Sequence, residues 1–185
     1  MVKKTASSRM IVLRGFLIIV LVVSFLLLAI SFINLLVPIS IVEQMKYVDG
    51  FLTKITVIFT IAAILLLGWG KLWKGVRKNK NLITTVIQNI WLFFKKRHVL
   101  FGWLVAAAGT AHSIYFTIYL PEQMIGFWSG VIAFFVMIVL VVLGYYFNQK
   151  AKSNPKIGKF HLWLGVLFFI AFVYHFIDSK GGQFH

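Results

Sequence analysis

The chain has 185 residues, of which 61% are hydrophobic, 17% aromatic and only 12% charged, at a mean hydropathy of +0.93. A soluble domain of this size cannot bury so much apolar surface, and a disordered chain would not carry it; what remains is an all-α, polytopic membrane protein. The absence of cysteine excludes disulfides, iron–sulfur clusters, thiolate zinc sites and covalent haem attachment.

Five apolar stretches are long enough, or nearly so, to cross a bilayer of roughly 30 Å. They run over about 16–36, 51–70, 98–120, 124–147 and 160–177, and predict a bundle of five transmembrane helices in a single domain covering 1–185. The first follows Arg14, exceeds a signal-peptide core in length and lacks a small-x-small cleavage pattern, so it reads as a retained helix. Between the second and third, residues 81–94 place Ile83, Val86, Ile87, Ile90 and Phe94 on one stripe with Gln88 and Asn89 off it. That pattern predicts an amphipathic helix lying on the cytoplasmic surface. The third helix is expected to stop at Pro121.

The charge is distributed by side. Lys3, Lys4, Arg9 and Arg14 precede the first helix; Lys71, Lys74, Arg77, Lys78, Lys80, Lys95, Lys96 and Arg97 lie between the second and third; Lys150, Lys152, Lys156 and Lys159 lie between the fourth and fifth. Sixteen of the nineteen basic residues thus fall on one side, against Lys46, Lys54 and Lys180 on the other, with all four acidic residues, Glu43, Asp49, Glu122 and Asp178. The positive-inside rule predicts a cytoplasmic N-terminus and an external C-terminus. The net charge of +15 is then mainly a topology signal, not a nucleic-acid surface. The expected location is a cell membrane, in a bacterium the plasma membrane, with lipid as a partner.

Four of the five histidines fall inside these helices. His98 and His112 belong to the third, His161 and His175 to the fifth, and both pairs are 14 residues apart. Fourteen residues make almost four turns and rise about 21 Å, so each pair shares a face and reaches both membrane surfaces. The two helices are one crossing apart and run parallel, which sets His98 level with His161 near the cytoplasm and His112 level with His175 near the outside. Two facing imidazoles at each of two levels are what two b-type haems need for both axial positions of each iron. Zinc suits the pattern poorly, because each level supplies only two nitrogens and no cysteine or membrane-embedded carboxylate is expected to complete a tetrahedron.

Gly102 and Gly165 each follow a histidine by four residues, and Ala108 and Gly109 precede His112 by a turn. Small residues there let a flat porphyrin approach the backbone. Phe168 and Phe172 lie between the levels on the histidine face, with Val105 opposite; Phe168 is expected as a dry spacer. Lys95, Lys96, Arg97 and Lys159 lie at the depth of inner-haem propionates. Lys180, Lys46 or Lys54, with Ser113 or Tyr115, are the candidates for the outer ones.

Over roughly residues 50–178, the chain resembles the ferric reductase-like transmembrane domain found in ferric reductases and the membrane part of NADPH oxidases. The resemblance rests on Arg97-His98, on Gly109-Thr110-Ala111-His112, and on Phe160-His161 through Tyr174-His175. It implies that His98 and His161 bind the inner haem and His112 and His175 the outer one. The chain departs from that family by ending near His185 without the usual sixth helix or the cytoplasmic flavin and nicotinamide domain. Gly68-Trp69-Gly70 is no dinucleotide fingerprint. The expected function is transmembrane electron transfer to an external acceptor, fed by a separate cytoplasmic flavin/NAD(P)H reductase or by quinol. A quinone-linked cytochrome b anchor, and a non-redox scaffold or transporter, are the alternatives; no Asp or Glu is expected in mid-membrane to relay protons.

Overall fold

The computed structural model describes residues 2–37, 42–78, 82–119, 126–150 and 155–181. They form five helices: α1 (Val2–Leu36), α2 (Val42–Val76), α3 (Leu82–Tyr119), α4 (Phe127–Lys150) and α5 (Pro155–Gly181). No strand occurs among the described residues, and all five helices are long and apolar enough to cross a membrane. The expected end of the third helix at Leu120 and Pro121, the start of the fourth at Met124, and Lys80, Asn81, Glu122, Lys152 and His185 lie outside the described residues. So do the side chains of Lys3, Lys4, Arg9, Glu43, Lys150 and Lys180.

Helices α2 and α3 are longer than the apolar stretches that announce them. The amphipathic segment is not a separate element: residues 82–119 are one uninterrupted helix. Lys95, Lys96 and Arg97 break the hydropathy there without breaking the helix, because Lys and Arg are good helix formers and no proline intervenes. The buried side of its first turns also differs from the expected stripe. Ile83 and Val86 are largely exposed, whereas Thr84 is buried. Trp91 faces α2, where its ring stacks on Trp73 at 6.2 Å and meets the open side of Gly70. At 1.5 Å per residue α3 is roughly 57 Å long, nearly twice a hydrocarbon core of about 30 Å, so the α2–α3 hairpin extends well past one.

Helix α3 is the shared wall of the bundle, packing against α1, α2 and α4. Its Phe101, Leu104, Ala108, Ala111 and Tyr115 recur every three or four residues and are all buried. They meet Val20 and Leu27 of α1 and Leu52 and Ile55 of α2 in one apolar cluster. Rings of Phe16, Phe59 and Phe101 run through it, Phe59 lying 5.9 Å from Phe16 and 5.3 Å from Phe101. Buried Ser24 and Ser31 interleave with Val20 and Leu27 at the same spacing, small residues that let helices approach. Leu104→Ala removes a fully buried side chain from this cluster. Such truncations cost about 2–5 kcal/mol in soluble cores, and the low end is expected where lipid is as apolar as leucine. A lowered thermal unfolding midpoint in detergent checks it.

Helix α5 is attached differently. It packs along α4 and touches α2 at a few points, but among the described residues no Cα of α3 comes within 8 Å of one on α5. The gap between α3 and α5 holds the site.

Candidate functional site

Two stripes face that gap. On α3 it is His98, Gly102, Val105, Gly109 and His112; on α5 it is Gly158, His161, Gly165, Phe168, Phe172, His175 and Ser179. Both step by three or four residues, so each stays on one side of its helix, over almost four turns on α3 and almost six on α5. The α3 stripe lies one residue round from the buried set that packs on α1 and α2, and one helix thereby serves two neighbours.

The stripes enclose two cavities in line along the bundle. One, of about 490 Å³, is lined by His98 and His161 and lies toward the lysine-rich helix ends. The other, of about 480 Å³, is lined by His112 and His175. Both volumes fall in the range of small-molecule and cofactor sites. Phe168 and Met137 line both cavities; they are buried and pack with Val105 into the partition between them.

In the first cavity the imidazoles of His98 and His161 face each other across 6.1 Å between ring centres, at 87° between planes. The Nδ1 atoms of both are buried and, among the described residues, have no hydrogen-bond partner. Gly102 and Gly165 line this cavity with open space on their Cα atoms. Lys95 also lines it, with its ammonium 4.7 Å from the Trp91 ring centre. Arg97 does not line it: its guanidinium lies 4.1 Å from the Phe93 ring and donates to the Phe93 carbonyl at 3.4 Å. Ala108 departs from its expected place as well, since it is fully buried on the α1–α2 side, while its neighbour Gly109 lines the second cavity.

Polar groups of α2, α4 and α5 stand behind the imidazoles of the second cavity. Asp49 belongs to α2, and its Oδ1 lies 2.9 Å from His112 Nδ1. Thr53 Oγ1, one turn on, is 3.0 Å from the same nitrogen. His175 Nδ1 lies 3.2 Å from Ser129 Oγ, which donates to Asp178 Oδ2 at 2.6 Å. Ser113 lines this cavity, whereas Tyr115 is buried in the apolar cluster.

Helix α4 supplies what the sequence reading missed altogether. A Cβ built on Gly144 would stand 2.9 Å from His161 Cε1, and one on Gly130 would stand 3.0 Å from His175 Cε1. Each α5 imidazole is therefore laid against a glycine of α4. The signal was present: Gly130 and Gly144 are 14 residues apart, the spacing of both histidine pairs, and α4 runs antiparallel to α5.

Among the described residues no group of three or more His, Cys, Asp or Glu side chains is placed to hold a metal ion. A metal at either level would find two imidazoles and would need its remaining donors from elsewhere. No protein-family model matches the chain, and neither curated proteins nor solved structures include a match.

Proposed function

We propose that this protein is a dihaem b-type cytochrome that carries electrons across a membrane. The observation that supports it most is the facing pair His98 and His161. Two metal–imidazole bonds of about 2 Å, plus about 1 Å from each nitrogen to its ring centre, would set two imidazoles sharing one metal about 6 Å apart, centre to centre. The observed separation is 6.1 Å. A site with two protein donors per level and wide, glycine-lined walls suits a metal whose other four donors come in a planar macrocycle.

In this reading His98 and His161 hold the inner haem, and His112 and His175 the outer one. Gly102 and Gly165 leave room for a flat ring beside the backbone, and Lys95 stands at the inner cavity for a propionate. Phe168 and Met137 keep the space between the levels dry. The haems, when bound, supply one-electron chemistry; the protein supplies ligands, spacing and dielectric. With the lysine-rich helix ends cytoplasmic, a flavin/NAD(P)H reductase or a quinol feeds the inner level, and an acceptor such as a ferric complex drains the outer one.

The test starts with the visible spectrum of the purified protein, which is expected to show a sharp reduced α-band and two haems per chain. In sealed, oriented vesicles with pre-reduced haems, an impermeant ferric chelate is expected to reoxidise them only from the face opposite the lysine-rich loops. A colourless protein overturns the cytochrome reading. Equal reoxidation from both faces, or exit of electrons to quinone at the inner level, replaces the transmembrane reductase with a quinone-linked anchor.

A further inference from the structure

The two histidine levels differ in what stands behind the imidazoles. His98 and His161 have Nδ1 atoms that are buried and unpartnered. His112 Nδ1 is 2.9 Å and 3.2 Å from the two oxygens of Asp49 and 3.0 Å from Thr53 Oγ1. The Thr53 hydroxyl donates its one proton to the Asp49 carbonyl at 2.9 Å, so toward the ring its oxygen can only accept. An ionised carboxylate also only accepts. His112 Nδ1 therefore carries the proton, and Nε2 keeps the lone pair that a metal needs.

The same logic fixes His175. Ser129 Oγ has one proton and two acceptors, Asp178 Oδ2 at 2.6 Å and the Gly126 carbonyl at 3.0 Å. The shorter contact has the length of a charge-assisted bond. With that proton given to the Asp178 carboxylate, Ser129 Oγ accepts from His175 Nδ1 at 3.2 Å. Both imidazoles at this level are thus set in one tautomer by a carboxylate, directly from α2 or relayed through a serine of α4.

We propose that Asp49 with Thr53, and Asp178 through Ser129, are positioning residues that make the outer site the lower-potential one. This rests on the dihaem reading and deepens it. A carboxylate behind a metal-bound histidine orients the ring and raises the basicity of its ligating nitrogen. A nearby negative charge also favours the more positive, oxidised iron. Among the described residues the inner pair has neither aid, so the inner site is the easier to reduce and fills first.

The experiment is a redox titration of the full chain carrying both haems, followed in the visible spectrum, with low-spin electron paramagnetic resonance of the oxidised form. Wild type is expected to titrate in two components, the lower one missing in His112→Ala. Asp49→Asn should raise the lower component alone, shift one of the two resonance signals and weaken retention of that haem about 10–100-fold against an apoprotein scavenger. Asp49→Glu should restore much of this. Thr53→Val should give a smaller shift in the same sense, and it keeps the question answerable if Asp49→Asn does not assemble. Asp49→Asn and Asp178→Asn proteins that keep two haems with unchanged potentials and signals overturn the positioning role and leave the dihaem reading standing. A lower component that survives in His112→Ala and vanishes in His98→Ala overturns the assignment of potentials. A wild-type protein without haem overturns both.

Discussion

His112→Ala is expected to leave a protein with one haem in place of two, still low-spin and still reducible, but unable to pass electrons to an acceptor on the far side. His175→Ala should do the same. His98→Ala and His161→Ala should spare the outer haem and abolish reduction from the lysine-rich face. The expectation follows from the cavities. Each is lined by one imidazole from α3 and one from α5, and no histidine lines both. Pyridine haemochrome stoichiometry and the number of low-spin signals measure it. Loss of both haems in every single variant would mean that the two levels assemble as one unit. Unchanged stoichiometry in all four would remove histidine ligation from consideration.

The second large effect is expected from α4, which contributes no ligand. Gly144→Ala puts a methyl 2.9 Å from His161 Cε1, and Gly130→Ala puts one 3.0 Å from His175 Cε1. At Gly144 this is closer than carbon atoms stay, so the His161 ring must move; at Gly130 the His175 ring must give by a few tenths of an ångström. Displacement of a metal ligand's support typically costs about 10–100-fold in metal affinity. Gly144→Ala should therefore deplete the inner haem and Gly130→Ala the outer one, each leaving the other in place. Gly75→Ala, at an exposed position with open space around it, should leave both unchanged. Haem content after gel filtration, with the components resolved by redox titration, reads all three.

The residues that disclosed most were those whose chemistry is rare in a membrane. Four histidines at matched spacing indicated a shared face on α3 and on α5, and in the structure the members of each level line a common cavity. Hydropathy marked five apolar stretches because lipid-compatible runs are long and unbroken. It misjudged α3, since three cationic residues interrupt an apolar average while continuing a helix. Asp49 and Asp178 were hidden for a related reason. Both lie beyond the most apolar segments and read as loop charges, and only the folded chain brings Asp49 to a nitrogen 63 positions away. Arg97 was favoured for its place beside His98, but its side chain turns back to Phe93 on its own helix, because the adjacent position in a helix faces about 100° away.

The distance kept between α3 and α5 has a consequence for assembly. With no Cα of one within 8 Å of the other, these two helices lack the close backbone packing that normally fastens a membrane bundle. What spans the gap is side chains at three heights, the two imidazole pairs and the Phe168 layer between them. A ligand bridging an α3 imidazole to an α5 imidazole would act as a rivet between the α1–α3 half and the α4–α5 half, which α3–α4 packing already joins. Its binding energy then adds directly to the cohesion of the halves, by RT ln(1 + [L]/Kd), about 4 kcal/mol at a thousandfold excess over Kd. In a cell short of that ligand, the chain would be inserted with α5 held mainly through α4, and its abundance would follow the ligand's supply.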